Sequence, residues 1–317
     1  MEPGPRIGND TNEEVSIKAC ALCDDYGIDT FETTSAIAFA MECRENGILT
    51  ASEANGLNLE WGDTHSILSL IEMITYRRGI GDVLSQGLKT ASAMIGKGSE
   101  RYAMQVKNMT FPGRNPRASK GWALGFAVAS RGACHMRGAS PEWGAAEHWD
   151  KSLLKSLEKY KDPTNPLLEE GKAEIVKWFE ELKAFQNSME ICVLVPRAID
   201  ESLPDSLARY YNSVTGHSIT GQDVLLAGER IVNLERAFNI REGLTRKDDT
   251  LPERMLKEPM PDGRGKGQVV DLEPMLTKYY ELRGWDKDSG LPTKSKLLEL
   301  SLADVANDVE KMGKLPT

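Results

Sequence analysis

The chain has 317 residues, of which 39 are Lys or Arg and 48 are Asp or Glu, so its formal net charge is −9. That length suggests about two domains, and 40% hydrophobic residues supply ample material for a core. An acidic chain without a block of Lys and Arg is a poor candidate for binding nucleic acid or an anionic membrane. The longest uncharged apolar run, between Lys120 and Arg131, is far short of the roughly 18 residues of a membrane span.

The cysteines also bear on cellular location. There are five, at positions 20, 23, 43, 134 and 192. An odd, dispersed set does not fit a disulfide framework, so we expect a reducing, cytoplasmic environment. The N-terminus is acidic and lacks an apolar segment, so we do not expect it to be a secretory signal.

Helical periodicity recurs along most of the chain, and the sequence predicts an all-α fold. The helix over 31–46 has a capping-box-like start at Asp29 and is followed by Gly47. The other predicted helices, in chain order, are one with Ile67, Ile71 and Ile74 that ends at Gly79, one with Val83, Leu84, Leu88 and Ala91, one over 172–186, one over 221–240 with Val224, Ala227, Ile231, Leu234 and Phe238 on its apolar stripe, one with Tyr279, Tyr280 and Leu282 that stops at Gly284, and one over 302–312.

Strand signals are scarce, and at most one short strand is predicted within 102–110. The Pro- and Gly-rich stretch 111–121 is the best internal boundary. We therefore predict two helical domains, 1–110 and 111–317. A second loop-rich stretch covers 246–270, and it could line a channel or pack on the surface.

Single residues give weak functional signals. His135, flanked by Cys134 and two arginines, could donate a proton near an anionic centre, but a lone His is more often structural. Cys20 and Cys23 form a CxxC pair without a second pair or a His cluster to complete a zinc site. Cys192, between Ile191 and Val193, has the sequence context of a buried core thiol.

Taken together, these segments resemble one family. CDDYGIDT at 23–30 and the helix that follows, RGIGD at 78–82, RGACH at 131–135, the Cys192 region, and GERIVNLERAFNIREGLTRKDD at 228–249 are similar to the tungsten-dependent aldehyde:ferredoxin oxidoreductases. The resemblance covers essentially the whole chain. It implies the two helical C-terminal domains of that family, without its β-rich base domain and without the CxxCxxxC segment that supplies three ligands of a [4Fe-4S] cluster.

The resemblance implies that two motifs each hold one pterin of a tungsten (or molybdenum) bis-pterin cofactor. The first corresponds to Asp24, Gly27, Ile28 and Asp29. A carboxylate can accept charge-assisted hydrogen bonds from the pterin edge, and a glycine lets the backbone approach a flat ring. Asp29 is also a natural helix N-cap, and the two roles are compatible.

The second motif corresponds to Asn187, Ile191 and Cys192, and it departs from the family pattern. Asn187 stands where the family has Asp, and Glu190 stands where it has Gly. The amide keeps an acceptor oxygen and loses the charge. Cys192 matches the fourth cluster ligand, so the resemblance implies that its thiolate binds the [4Fe-4S] cluster.

Three further residues match catalytic surroundings of the family. The resemblance implies that His135 handles a proton beside the metal and that Arg137 lies close to the cofactor. Arg114 stands where the family often has a substrate-facing Tyr. A cationic side chain there hints at an anionic substrate or a different oxidation.

The function we expect from the resemblance is oxidation of a small aldehyde to a carboxylic acid, with electrons passing through the cluster to ferredoxin. The N-terminal domain, or a separately encoded half, would complete the site, and a homodimer is possible. Two alternatives stay open: a benzoyl-CoA reductase-like relative acting on an aromatic acyl-thioester, and a truncated, non-catalytic helical protein.

Overall fold

The computed structural model describes residue 8 and residues 13–137, 151–192 and 203–315. Within these ranges the chain divides into two compact units, Met1–Asn115 with Pro252–Arg254 and Pro116–Leu251 with Met255–Thr317. The all-α prediction is confirmed: the described ranges hold fourteen α-helices and one two-stranded sheet. The predicted domain limits, 1–110 and 111–317, stay a prediction.

The first unit begins with five helices. They are α1 (Glu13–Tyr26), α2 (Thr30–Glu45), α3 (Thr64–Thr75), α4 (Ile80–Leu84) and α5 (Leu88–Ile95). A 3₁₀ turn at Ser99–Tyr102 leads into the hairpin of β1 (Gln105–Val106) and β2 (Met109–Thr110). The strands are antiparallel, with Gln105 opposite Thr110 and Val106 opposite Met109.

The second unit contains the remaining elements, with one short helix at the division between the units. They are α6 (Lys120–Val128), α7 (Lys151–Leu157), α8 (Lys172–Ser188), α9 (Leu203–Thr215), α10 (Gly221–Arg241), α11 (Glu253–Lys257), α12 (Leu272–Arg283), α13 (Lys294–Glu299) and α14 (Ala303–Lys311), with 3₁₀ turns at Pro116–Ala118 and Arg246–Asp248.

Local sequence signals set several helix ends. Asp29 caps α2 by accepting a hydrogen bond from the Glu32 N–H at 2.8 Å. The predicted capping box is only half formed, because the Glu32 carboxylate accepts from the Thr110 N–H at 2.9 Å and so ties α2 to the hairpin. Thr220 and Asp223 form a complete capping box at the start of α10.

Two predicted elements differ from the structure. The single helix expected to carry Val83 to Ala91 is two helices, α4 and α5, because the chain turns at Gly87 with φ +80°. The strand expected within 102–110 is a hairpin of two-residue strands. Its turn residues, Lys107 and Asn108, both have positive φ, which matches a tight hairpin turn.

The core of the first unit is apolar, with Ile37, Met41, Ile67 and Ile71 fully buried. The core of the second unit is built on α8, against which α7, α10 and α12 pack. Gly228 lets α10 come close to α8, since a Cβ at this position would lie 2.0 Å from the Glu181 carbonyl oxygen.

The predicted apolar stripe of α10 is only partly correct. Val224 is fully buried, but Leu234 and Phe238 are 47% and 53% exposed. The face that packs inward includes Gly228, Asn233, Arg236 and Ala237 instead. The helix carries apolar residues on two faces, so periodicity alone could not identify the buried one.

Candidate functional site

The first motif forms the end of α1. Gly27 has φ +68°, and its N–H donates to the Asp24 carbonyl at 3.1 Å. The Ile28 N–H donates to the Cys23 carbonyl at 3.0 Å. A left-handed residue with this pair of bonds is a Schellman helix ending. Among the described residues, nothing lies within 4 Å of the position a Gly27 Cβ would occupy, so a flat ligand could approach the backbone here.

The carboxylates of this motif are exposed to solvent. Asp24 lies in the last turn of α1, and Asp29 caps α2 two residues after the turn glycine. The cap bond uses one carboxylate oxygen of Asp29, and a carboxylate has further acceptor capacity beyond that bond. Ile28 is half-buried and packs against the core of the first unit.

The second motif forms the end of α8 and has the same backbone turn. The Glu190 N–H donates to the Asn187 carbonyl at 3.1 Å, and the Ile191 N–H donates to the Gln186 carbonyl at 3.4 Å. Glu190 has φ +58°, the left-handed conformation that favours glycine. Glu190 therefore adopts the same turn as Gly27 and places an exposed carboxylate on it.

The remaining residues of the second motif lie at the surface of the turn. Asn187 and Ile191 are half-buried, and Cys192 is exposed with a free thiol. This exposure differs from the buried core thiol that the flanking Ile191 and Val193 alone would suggest. An accessible thiol is what ligation to a cluster requires.

The loop that carries His135 follows α6 and lacks regular secondary structure. Side chains of α8 and α10 hold its backbone. The Lys183 ammonium donates to the His135 carbonyl at 2.8 Å, and the Asn239 amide donates to the Ser130 carbonyl at 2.7 Å. The Asn187 amide lies at 3.5 Å from the Met136 carbonyl, the long limit of a hydrogen bond. The second motif and the His135 loop are therefore in contact.

Arg137 continues this loop. Its guanidinium forms an ion pair with Glu235 of α10, and both side chains are half-buried. A cavity of about 20 Å³ lies beside the pair and is also lined by Glu180, Arg236 and Asn239. That volume suits about one water molecule.

A network of buried charged residues stabilises the middle of α8. Arg283 is fully buried and donates to Glu180 at 2.7 Å and to Glu181 at 2.6 Å. The Tyr279 hydroxyl donates to Glu180 at 2.5 Å, and Lys177 donates to Glu181 at 2.6 Å. Because each buried carboxylate has cationic and hydrogen-bonding partners, the network fixes the helix that presents the second motif.

The ten predicted site residues divide between the two units. Asp24, Gly27, Ile28, Asp29 and Arg114 belong to the first unit, whereas His135, Arg137, Asn187, Ile191 and Cys192 belong to the second. Arg114 is exposed and His135 is half-buried. That both sets face one cavity stays a prediction.

Sequence reasoning missed Lys183, Glu235 and Asn239, which contact the His135 loop. Of these three, only Lys183 could have been noticed from its position in the sequence. Lys183 precedes Asn187 by one helical turn and therefore shares its face of α8.

The described residues contain no group of three or more His, Cys, Asp or Glu side chains placed to hold a metal ion. None of their helices combines the length and apolar character needed to span a bilayer.

Comparison with known proteins identifies the family. The family model described as aldehyde ferredoxin oxidoreductase, domains 2 and 3, matches residues 2–302. The chain belongs to this family. It is 35% identical to the tungsten-containing aldehyde ferredoxin oxidoreductases of Thermococcus kodakarensis, over 292 residues, and of Pyrococcus furiosus, over the same length. The family resemblance found in the sequence is confirmed.

Each of these alignments covers 91% of the chain and 45% of the relative, so the chain spans less than half the length of the curated relatives it matches. A further relative is the aliphatic sulfonate oxidoreductase, WOR-like subunit, of Pyrococcus furiosus, which is 28% identical over 308 residues. That alignment covers 92% of the chain and 43% of the relative. By name, these family members are oxidoreductases.

A solved structure shows the same fold. The active-site complex BamBC of benzoyl coenzyme A reductase, bound to 1,5-dienoyl-CoA, matches with a TM-score of 0.74 at 23% identity. The match covers 99% of this chain and 50% of that chain. At this level of identity the similarity bears on the fold alone.

Proposed function

We propose that the chain is the C-terminal helical part of a tungsten (or molybdenum) bis-pterin oxidoreductase. It would take part in oxidising small aldehydes to carboxylic acids, with electrons leaving through a [4Fe-4S] cluster to ferredoxin. The observation that carries the proposal is the 35% identity to tungsten-containing aldehyde ferredoxin oxidoreductases over 91% of the chain. The two matching helix ends at Gly27 and Glu190 support it.

The residues of the first motif fit a pterin. The turn at Gly27 is open, and the neighbouring carboxylates of Asp24 and Asp29 are exposed. They would accept hydrogen bonds from N–H groups on the heterocycle edge. At the second motif, Asn187 and the Ile191 backbone would make the corresponding contacts. When bound, the metal–pterin group supplies the two-electron redox chemistry.

The described residues fit the cluster only in part. Cys192 offers one accessible thiol, whereas a [4Fe-4S] cluster commonly takes four cysteine ligands. The described ranges hold no cluster of ligands that could supply the others. We therefore propose that an N-terminal domain or a separately encoded half supplies three cysteines and the base of the pterin site. A cytoplasmic location and homodimer formation are further proposals.

His135 and Arg137 have separate proposed roles. His135 would take up or release a proton as the aldehyde becomes an acid, since imidazole titrates near neutral pH. Arg137 would orient an anionic group of the cofactor through its guanidinium. Its ion pair with Glu235 fixes the direction of that side chain.

A substrate with an anionic group is a second candidate. Arg114 is exposed and cationic where the family often has Tyr. A guanidinium binds carboxylate, phosphate or sulfonate groups in a bidentate manner. The relative that is 28% identical is named for an aliphatic sulfonate, which is anionic. An aromatic acyl-thioester substrate is a third option, and the shared fold with benzoyl coenzyme A reductase is compatible with it.

The test is anaerobic co-expression with the N-terminal half, followed by viologen dye reduction with aldehydes, sulfonated aldehydes and acyl-thioesters. We expect turnover with a simple aldehyde and a [4Fe-4S] signal by electron paramagnetic resonance. Cys192→Ala should abolish the cluster signal, and His135→Asn should keep it while lowering turnover. A stable cluster in the isolated chain, or an intact cluster in Cys192→Ala, would overturn the proposed cluster assignment. No turnover with any substrate would favour a non-catalytic protein.

A further inference from the structure

The loop over 129–137 has little backbone bonding of its own. It has three isolated turn bonds: the Gly132 N–H donates to the Ala129 carbonyl at 3.2 Å, the Cys134 N–H to the Gly132 carbonyl at 2.5 Å, and the Arg137 N–H to the Cys134 carbonyl at 3.3 Å. Such isolated turns do not fix a loop by themselves, because each involves only a few residues. The position of the His135 backbone therefore depends on the side chains that bind its carbonyls.

Lys183 is placed to provide that constraint. It is only 6% exposed, and its ammonium donates to the His135 carbonyl at 2.8 Å. Burying an ammonium is unfavourable unless it is hydrogen-bonded, so a buried lysine strongly favours a geometry that supplies acceptors. The His135 carbonyl is such an acceptor, and moving the loop would remove it.

The same helix carries the second motif one turn later. Asn187 follows Lys183 by four residues, and its amide approaches the Met136 carbonyl at 3.5 Å. The ion pairs of Arg283 with Glu180 and Glu181 hold α8 in place just before Lys183. Helix α8 thus connects a rigid buried anchor, the His135 loop and the Cys192 turn.

We propose that Lys183 is a positioning residue that sets the place of His135 relative to the second cofactor motif. Its catalytic importance rests on the proposed function, but its structural effect does not. Without Lys183, the His135 loop should move independently of α8, and His135 should lose its fixed distance from Asn187 and Cys192.

The same helix offers a matched control. Lys172 is also fully buried, and its ammonium donates to the Pro163 carbonyl at 2.5 Å. It therefore makes the same kind of contact at the opposite end of α8. Lys183→Met and Lys172→Met each remove one buried ammonium and retain a side chain of similar length.

The experiment is hydrogen–deuterium exchange on the cofactor-free chain, with NMR of the labelled His135 ring. In Lys183→Met we expect exchange in the peptide over 131–137 to become about tenfold faster, since a hydrogen bond to a charged group is lost. The His135 ring signals should shift, and Lys183→Arg should restore both readouts in part. Lys172→Met should leave both unchanged even where it lowers thermal stability as much.

Equal loss of stability in the two methionine variants, without faster exchange or a shifted His135 signal in Lys183→Met, would overturn the proposal. If Lys183→Met does not fold, Lys183→Gln takes its place, because it loses the charge and is too short to reach the same carbonyl. Faster exchange over 131–137 in that variant would support the proposal, and unchanged exchange would overturn it. Because no cofactor is present, failure here is distinct from failure of the aldehyde oxidation test.

Discussion

Helix α1 ends at Gly27 and helix α8 ends at Glu190 with the same pair of backbone hydrogen bonds. Beneath the first turn lies apolar packing, in which Cys23 is fully buried. At the second turn, Met189 and Ile191 also pack against apolar residues. Some ten residues earlier, α8 carries in addition a charged network centred on Arg283. The same backbone shape therefore rests on apolar packing at both turns, and only the second helix adds a buried charged network. The motif residues form the turn, whereas the interactions that stabilise each helix come from the surrounding structure.

The cysteine thiols give the largest contrast between the two units. Burial raises the pKa of Cys23, and it raises the pKa of Cys43 to about 12. At pH 8 a thiol with that pKa has roughly one part in ten thousand as reactive thiolate. We expect iodoacetamide to modify the exposed Cys192 at least about a thousandfold faster than Cys43.

Mass spectrometry of timed samples gives these rates. Cys192→Ser serves as the control and should remove the fast-reacting site. Modification of Cys43 at the rate of Cys192 in the native protein would contradict the contrast.

The charged support of α8 predicts the largest change in stability. Arg283→Met removes the cation from two buried carboxylates, so the free energy of unfolding should fall by about 3–5 kcal/mol. Arg77→Met offers a control at an exposed ion pair with Asp82, where the loss should stay below about 1 kcal/mol. Urea denaturation measures both values, and similar losses would show that the buried network is not what holds α8.

A smaller effect is expected where the first turn leads into α2. Asp29→Ala removes the N-cap bond to Glu32, and the free energy of unfolding should fall by about 1 kcal/mol. Asp29→Asn keeps the acceptor oxygen and should lose much less. In the reconstituted enzyme, the same two variants distinguish helix capping by Asp29 from cofactor binding by Asp29. If the carboxylate also binds the cofactor, Asp29→Asn should weaken cofactor retention while stability is preserved.

The smallest effect concerns the turn residues themselves. Glu190→Gly removes the backbone strain of a side-chain-bearing residue in the left-handed conformation. It should raise the free energy of unfolding by about 0.5 kcal/mol. Gly27→Ala introduces the same strain and should lower it by about 1 kcal/mol. A loss of stability in Glu190→Gly would mean that the Glu190 side chain stabilises the turn through a contact of its own.

The sequence predicted the helices well where caps and apolar residues agreed, as at Asp29 and Gly284. It failed at Gly87, because the apolar spacing continues across the break between α4 and α5. It also failed on α10, where Leu234 and Phe238 extend an apolar pattern on the exposed face. Periodicity reports where apolar residues lie and cannot report which face meets a partner.

The candidate site was predictable only through its resemblance to known motifs. Charged residues on α8 would ordinarily be assigned to solvent, yet Glu180, Glu181 and Lys183 are all buried. Their partners, Arg283 and the His135 carbonyl, are distant in sequence. Such pairs form only in the folded chain, so no local pattern could reveal them.

The buried network under α8 also affects how the molecule responds to heat. Removing charged groups from water becomes less unfavourable as temperature rises, whereas the gain from apolar burial levels off. The contribution of Arg283, Glu180 and Glu181 should therefore grow on warming, while that of the apolar core beneath Gly27 levels off. The middle of α8 would then hold its position at temperatures where the turns at Gly27 and Glu190, which both rest on apolar packing, begin to loosen.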